Sequence, residues 1–212
     1  DDVCLEVACG TGLVARALGR RVRHVTALDT TPAMLEQGKR EADRDAVTNV
    51  TFALGDAAAL PYLDRSFTLA VTRFSLHHVE EPLCVLREMV RVSRPGAGLI
   101  IADIVRTGAP GDPDRIERLR DPSHAAMLSA GEIADLVAEA GAEVKRSETF
   151  EVVRPLEPWL AQSCTPEDVA AQIRAELRAE LGGGPVTGMR PALVDGELCF
   201  THAHAYVAAA AS

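Results

Sequence analysis

The chain has 212 residues, of which 47% are hydrophobic and only 4% aromatic, and it carries a formal net charge of −9 at pH 7. This length is sufficient for the core of one domain, so we expect residues 1–212 to form a single domain packed mainly with aliphatic side chains. The acidic balance disfavours a nucleic-acid partner, because proteins that bind the phosphate backbone usually present a basic face.

Strand and helix patterns alternate through the first half of the chain. Val3, Leu5 and Val7 predict a buried strand, and Gly10 and Gly12 follow it at the turn into the first helix. Further strands are predicted at 25–29, 49–54, 67–73 and 98–105, with helices that begin near residues 13, 32 and 82. This alternation predicts an α/β fold, a Rossmann-like three-layer sandwich with a mostly parallel sheet.

Turn and cap residues organise the second half of the chain. Residues 106–124 are polar and proline-bearing, and Ser129 with Glu132 has the spacing of a capping box at the start of a helix. The later predicted elements are a strand at 142–153, a segment around Trp159, a helix from about 165 to the glycines at 182–184, and a last strand at 198–207.

Two features of this half have a structural and a functional interpretation. An apolar residue recurs at every fourth position of the later helix: Val169, Ile173, Leu177 and Leu181. We favour packing of this stripe on the sheet over a lid or a dimer contact. His202 and His204 share one face of the last strand, and because no third ligand lies nearby we favour an ordinary edge strand over a metal site.

Three acidic residues lie at the carboxyl ends of three predicted strands. Glu6 precedes Gly10 by four residues, Asp29 ends the second strand, and Asp56 follows the third. Since the carboxyl ends of parallel strands meet at one crevice, we expect the three carboxylates to surround one ligand. Residues 10–15 also fit the nicotinamide fingerprint G-x-G-x-x-G/A, but such carboxylates repel a pyrophosphate and suit a ligand that carries positive charge.

At these positions the sequence resembles the class I S-adenosylmethionine-dependent methyltransferases. The resemblance is carried by EVACGTG at 6–12, ALD at 27–29 and GDA at 55–57. Over nearly the whole chain it is similar to the small-molecule type found in ubiquinone and menaquinone biosynthesis, methyltransferase type 11. The motifs of that type are LP at 60–61, SF at 66–67, FSLHH at 74–78 and RVSRPG at 91–96, with LRDPSH at 119–124, Trp159 and TP at 165–166 typical of a narrower bacterial branch.

The resemblance implies S-adenosylmethionine as the cofactor and a seven-stranded sheet whose last strand is antiparallel. It implies that the 6–12 turn holds the methionine portion, Asp29 the ribose, and Asp56 with Ala57 the adenine edge. The implied cofactor-binding residues are Glu6, Ala8, Gly10, Gly12, Asp29, Thr30, Met34, Asp56, Ala57 and Arg73. Family members carry a helix before the first strand, which we expect upstream of Asp1, and we expect residues 106–128 and 154–196 to cover the substrate side.

Methyl transfer requires an aligned acceptor and exclusion of water, and some acceptors need a base. The candidates for catalysis are His124 and His78, each with a structural alternative such as capping or packing. The candidates for substrate binding are His77, Asp103, Arg120 and Trp159. Arg120 has the alternative of an ion pair with Asp121. Residues 72–75 lack the Asn/Asp-Pro-Pro-aromatic turn with which related enzymes hold a base amine, which disfavours methylation of DNA bases.

We therefore expect methyl transfer from S-adenosylmethionine to the oxygen, carbon or nitrogen of a small organic acceptor. The alternatives are an S-adenosylmethionine-binding protein that catalyses a non-methyl reaction and an NAD-dependent oxidoreductase. Five cysteines without paired spacing predict neither disulfides nor a zinc site and are typical of reduced thiols in the cytoplasm. We expect no metal, no membrane association, and a monomer or homodimer.

Overall fold

Eight strands form one sheet that runs through the molecule. The structure, a computed structural model, describes residues 2–212. The strands are Val3–Val7 (β1), His24–Asp29 (β2), Val50–Leu54 (β3), Phe67–Arg73 (β4), Ser93–Val105 (β5), Ala142–Pro155 (β6), Ala192–Val194 (β7) and Glu197–Ala211 (β8). Their order is β3-β2-β1-β4-β5-β8-β6, with β7 beside β8. Strands β1 to β5 are parallel, and β8 is antiparallel to β5, β6 and β7.

Helices cover both faces of this sheet. They are Leu13–Gly19 (α1), Pro32–Arg44 (α2), Pro82–Val92 (α3), Pro113–Arg120 (α4), Ala130–Glu139 (α5), Leu156–Gln162 (α6) and Glu167–Leu181 (α7), with a 3-10 turn at Leu76–His78. Leu5 of β1 belongs to a buried cluster with Met89 of α3 and Ile133 of α5, whereas its neighbour Cys4 is clustered with Leu35 of α2. Adjacent strand residues point to opposite faces, so the expected three-layer α/β sandwich is confirmed.

The C-terminal strands extend the prediction and correct one part of it. The main path of the sheet contains the seven expected strands, and β7 is a short addition whose three residues give too little periodic signal to detect. Strand β8 continues through the alanine tract to Ala211 and lies between β5 and β6. The expectation that His202 and His204 stand on an edge strand is therefore wrong, and both side chains are buried.

Helix α7 builds a second core with α4 and α6. Ile173 and Leu177 are completely buried in one cluster with Ile116 of α4 and Trp159 of α6. From β8, buried Phe200 belongs to this cluster and partly buried Leu198 packs against it. The expected packing of α7 directly on the sheet is thus corrected: α7 packs mainly on two other helices, which themselves cover the amino-terminal half of β8.

The start of α5 offers a test of the fold. Ser129 and Glu132 form the predicted capping box, with the Glu132 amide 3.2 Å from Ser129 Oγ and the Ser129 amide 2.7 Å from Glu132 Oε2. Ser129→Ala should lower the free energy of unfolding by about 1 kcal/mol, because a helix N-terminal donor loses its acceptor. Urea unfolding measures this difference. Ser147→Ala, at an exposed position of β6, is the control, and equal losses in the two variants would contradict the cap.

Candidate active site

A cavity of about 590 Å³ opens at the carboxyl ends of β1, β2 and β3. This volume falls in the range of about 300–1,000 Å³ that is typical of small-molecule and cofactor sites. The predicted site residues that line it are Ala8, Gly10, Asp29, Thr30, Met34, Asp56, Ala57 and His78. The strand ends therefore bring most of the expected cofactor residues to one place, as the parallel topology predicts.

The glycine turn after β1 is built from left-handed backbone. Ala8, Gly10 and Gly12 have φ angles of 53°, 54° and 68°. A Cβ at Gly12 would lie 2.6 Å from Cε1 of Phe52, so this glycine is required by packing beneath the turn and does not line the cavity. At Gly10 a Cβ would meet no atom within 4 Å. The absence of a side chain there leaves room for a ligand to approach the main chain.

Two carboxylates on the cavity wall are fixed by backbone amides. Asp29 accepts hydrogen bonds from the amide of Gly10 at 2.7 Å and from that of Thr31 at 2.9 Å, one on each oxygen. Asp56 accepts from the amide of Ala58 at 2.8 Å. An ionised carboxylate has about four lone-pair sites, so each group retains acceptor capacity for a ligand's hydroxyl or amino groups.

Glu6 does not line the cavity with Asp29 and Asp56. Its side chain lies beneath the glycine turn, where Oε2 accepts from the amide of Ala15 at 2.7 Å, and only 3% of the residue is exposed. Burial raises the pKa of this carboxyl to about 7, an effect that the Ala15 hydrogen bond and the positive charge of Arg73 only partly oppose. The expected set of three carboxylates around one ligand is thus corrected to two on the cavity wall and one that holds the start of α1.

The three candidate histidines lie close together, but only one of them lines the cavity. The rings of His77 and His124 are 5.5 Å apart, centroid to centroid, and those of His77 and His78 are 4.1 Å apart. Nδ1 of buried His77 lies 2.5 Å from Oδ1 of Asp103, and Nε2 of buried His124 lies 2.6 Å from Oδ1 of Asp114. The ring of His77 is thus held by Asp103 and that of His124 by Asp114. None of these residues lines the cavity.

His78 is the histidine whose ring meets the cavity. Its Nδ1 lies 3.2 Å from the carbonyl oxygen of Ser123 and 3.0 Å from the Ser123 hydroxyl. Because a carbonyl oxygen only accepts, Nδ1 carries the hydrogen in the neutral ring and Nε2 keeps its lone pair. Burial lowers the pKa of His78, and the neighbouring His77 lowers it further. The ring is consequently a neutral proton acceptor at physiological pH.

Arg73, which the sequence assigned to the cofactor, and Arg120 and Trp159, which it assigned to the substrate, do not line the cavity. The guanidinium carbon of Arg73 is 4.0 Å from the ring centroid of Phe74, which does line the cavity. Arg120 lies over the buried ring of Trp159 at 4.5 Å and pairs with Glu117 at 2.9 Å. The ion pair of Arg120 with Asp121 that the sequence left open is therefore replaced by one with Glu117, three residues earlier on α4.

Several residues of the site were missed in the sequence. Phe74, Ser75, Asp121 and Ser123 line the cavity. Glu117, only 2% exposed, bonds both Arg120 and His202. The spacing of Glu117 and Arg120 on one helix face was a usable signal for their ion pair. No comparable signal joins Glu117 to His202, because that contact spans 85 positions of sequence.

Of the two segments expected to cover the substrate side, 106–128 reaches the cavity wall through Asp121 and Ser123, and 154–196 packs over β8.

Within residues 2–212, no group of three or more His, Cys, Asp or Glu side chains is arranged to hold a metal ion. The helices of this part of the chain include none with the length and apolar character needed to cross a bilayer.

Comparison with known proteins identifies the family. Residues 5–101 match the family model described as a methyltransferase domain. The chain is 32% identical over 161 residues to the uncharacterized protein YafE of Escherichia coli (strain K12), an alignment that covers 73% of this chain and 76% of that protein. It is 39% identical over 99 residues to the demethylmenaquinone methyltransferase of Renibacterium salmoninarum, covering 47% of this chain and 40% of that protein. The chain belongs to the class I S-adenosylmethionine-dependent methyltransferases.

A solved structure agrees with the architecture of this methyltransferase. The crystal structure of the YcgJ protein from Bacillus subtilis superposes with a TM-score of 0.86 at 24% identity, covering 99% of this chain and 92% of that one, and it has the same fold. The chemistry of the cavity wall fits the family's cofactor. Carboxylates such as Asp29 and Asp56 accept hydrogen bonds from ribose hydroxyls and an adenine amino group, and they attract rather than repel a sulfonium.

The buried carboxyl of Glu6 makes the stability of the methyltransferase depend on pH. Its folded-state pKa of about 7 lies above the ordinary value of 4.5, so the folded protein binds a proton more tightly than the unfolded chain. This group therefore costs stability increasingly as pH rises from the unfolded to the folded value. Glu6→Gln should remove that cost, because its amide oxygen still accepts from Ala15 and carries no charge. The free energy of unfolding of the variant, relative to that of the wild type, should therefore increase by about 2 kcal/mol as the pH rises from about 5 to about 8.

Urea unfolding of both proteins across this pH range measures the effect. Glu36→Gln, at an exposed site on α2, is the matched control and should parallel the wild type. A Glu6→Gln curve that also parallels the wild type would show that the Glu6 carboxyl is ionised without cost.

Proposed function

We propose that this methyltransferase transfers the methyl group of S-adenosylmethionine to an oxygen, carbon or nitrogen atom of a small organic acceptor. The observation that carries the proposal is the convergence of the Gly10 turn, Asp29 and Asp56 on one cavity at adjacent strand ends. In this proposal Ala8 and Gly10 border the methionine portion, Asp29 holds the ribose hydroxyls and Asp56 accepts from the adenine amino group. Thr30, Met34 and Ala57 complete the wall around the nucleoside.

The demands of methyl transfer suit such a cavity. The bound cofactor supplies an electrophilic methyl group, and the displacement is in line, so the chain contributes chiefly by aligning the acceptor and excluding water. Ser123 and His78, which contact each other, both line the cavity, and we assign this part of its wall to the acceptor. The named activity of the demethylmenaquinone relative favours an aromatic acceptor, which the ring of Phe74 on the cavity wall could stack against.

We propose His78 as the base for an acceptor that must lose a proton. Its Nε2 has the lone pair, its Nδ1 is fixed by Ser123, and its ring borders the cavity. We assign His124 a positioning role, because its Nε2 is held by Asp114 and its side chain is almost completely buried. The His77 ring is held by Asp103, and we assign it the role of orienting the 3-10 turn that carries His78.

We further propose a reducing compartment such as the cytoplasm. The cysteines of the chain are all free thiols, three of them buried and two, Cys84 and Cys164, exposed. Exposed thiols without a partner are more common in proteins of the reducing cytoplasm than in secreted ones.

Incubation with S-adenosylmethionine labelled in its methyl group tests the proposed reaction. The acceptors to supply are hydroxylated and aminated aromatic compounds, with detection of labelled product by mass spectrometry. A labelled acceptor is the expected result. Formation of a modified acceptor without label, in the presence of the intact cofactor, would instead favour a non-methyl reaction on the same fold.

Asp29→Ala should weaken S-adenosylhomocysteine binding by about 2 to 3 kcal/mol, because a bidentate acceptor for the ribose is lost. The same change removes the acceptor of the Gly10 amide, so thermal unfolding is measured beside calorimetric titration. Asp43→Ala, at an exposed site on α2, is the control for a lost carboxylate. Undiminished affinity in folded Asp29→Ala would contradict the ribose assignment.

His78→Gln should lower kcat and leave the cofactor dissociation constant nearly unchanged, because its proton acceptor is lost from the acceptor side. Wild-type activity should rise with pH through a value below 6.5, the ordinary pKa from which His78 is lowered, and the variant should lose this step. His24→Gln, at the amino end of β2, is the matched control. A His78→Gln profile with the same pH step would assign the proton acceptor to another group.

A further inference from the structure

Basic side chains gather at one end of β4, β6 and β8, and one of them, Arg73, directly precedes Phe74, which lines the cavity. We call this group the basic cluster; it consists of Arg73, Arg120, Arg154, His202 and His204. The molecule as a whole carries a net charge of −9. Three arginines of this acidic chain, Arg73, Arg120 and Arg154, therefore lie at the same end of the sheet.

Strand register places these residues on one face of the sheet. His202 pairs with Val152 and Phe200 pairs with Arg154 across β8 and β6, so Arg154 stands on the same face as both histidines. Arg73 pairs with Ala102, and Ala102 with Tyr206, which carries the same face across to β4. Arg120 reaches this face from α4, because its neighbour Glu117 bonds His202 at 2.8 Å.

The carboxylates available to the basic cluster do not balance its guanidinium groups. Glu117 is already bonded to Arg120 and His202, and these charges hold the pKa of Glu117 low despite its burial. In the chain from residue 2 onward, Arg154 bonds only the amide oxygen of Gln162, at 3.1 Å, and Arg73 has no hydrogen-bonded carboxylate. The positive charge of Arg73 acts on the buried carboxyl of Glu6, whose pKa it lowers in part.

Arg154 is repelled by other arginines of the basic cluster. Burial lowers the pKa of its guanidinium, and the positive charges of Arg120 and Arg73 lower it further, while the negative charge of Glu117 opposes this shift in part. Asp103 acts on His204 from the opposite face, where its carboxylate is engaged by His77. An anion placed beside Arg154 would relieve this repulsion and accept charge-assisted hydrogen bonds from its guanidinium.

Aromatic rings flank His204 of the basic cluster. His204 lies edge-on to Phe74 at 5.0 Å and to Phe150 at 5.5 Å between ring centroids. Burial lowers the pKa of His204 to about 4, so its ring is neutral, and its buried Nε2 has no hydrogen-bond partner among the described side chains. Phe74 also borders the cofactor cavity. A flat ligand could thus contact Phe74 while its polar end reaches the basic cluster.

We propose that the basic cluster binds the carboxylate of an aromatic acid, with Arg154 as its principal donor, and that this acid is the methyl acceptor. The inference deepens the proposed function and rests on it for the word acceptor. The carboxylate could come from two sources, the acceptor or the methionine portion of the cofactor. Arg154 is on β6, and four strands (β1, β4, β5 and β8) separate β6 from β2, which carries Asp29; this position favours the acceptor.

Titration of the protein with benzoate and with its neutral analogue benzamide tests the proposal. The protein is first saturated with S-adenosylhomocysteine, and binding is followed by NMR chemical shifts. We expect benzoate to bind about 10-fold more tightly than benzamide, and Arg154→Gln to remove this preference without changing the affinity for S-adenosylhomocysteine. The matched control is Arg94→Gln, at an exposed position near the amino end of β5, which should retain the preference. Arg154→Lys, which keeps the charge but loses the planar fork, should fall between them.

Two results would overturn the proposal. Equal binding of benzoate and benzamide, or equal behaviour of Arg154→Gln and Arg94→Gln, would show that the basic cluster selects no carboxylate. If Arg154→Gln binds S-adenosylhomocysteine more weakly, and S-adenosylhomocysteine displaces benzoate from the wild type, the basic cluster would instead bind the carboxylate of the cofactor. A wild-type protein that fails to bind S-adenosylhomocysteine would refute the proposed function separately, and the preference for benzoate over benzamide would then be measured on the protein without that ligand.

If Arg154→Gln does not fold, the preference for benzoate is compared between the wild type and Arg154→Lys, and equal preferences would overturn the role of Arg154.

Discussion

The Asp29 carboxylate joins the two segments on which the cavity depends. It ends β2 and accepts from Gly10, in the turn after β1, and from Thr31, at the start of α2. Without it, two backbone donors at the cavity edge would need new partners, and the left-handed turn would lose the contact that fixes its distance from β2. The same two oxygens retain the acceptor capacity that a ribose requires. Structure and ligand recognition therefore share one group.

The distribution of charge gives the cavity a direction. Asp29 and Asp56 make the cofactor wall acidic, whereas Arg73 and Arg154 stand outside the cavity lining, at the carboxyl ends of β4 and β6. In the proposed function a sulfonium is attracted to the carboxylates and an anionic acceptor to the arginines. Glu6 takes no direct part in this arrangement, because it is buried under the turn and binds the amide of Ala15.

Local sequence signals were sufficient for the helices and strands of the main sheet path, but not for the three-residue strand β7 or for contacts between distant segments. The glycine turn, the strand ends and the Ser129 capping box follow from neighbours within a few residues, and each has its expected place. The orientation of Glu6 was mispredicted, because strand position fixes which face a side chain takes but not whether a loop amide captures it. The burial of His204 depends on β8 entering the sheet between β5 and β6, a long-range event that alternation along β8 does not encode.

Calorimetric titration of the purified chain with S-adenosylmethionine and, in a parallel cell, with NADH tests the central claim most directly. Both ligands contain an adenosine, but only one adds a sulfonium and the other adds a pyrophosphate, so the sign of the charge on the Asp29 and Asp56 wall decides between them. We expect saturable binding of S-adenosylmethionine and none of NADH. Binding of NADH with no binding of S-adenosylmethionine would contradict the cofactor assignment and would return the glycine turn to a dehydrogenase interpretation.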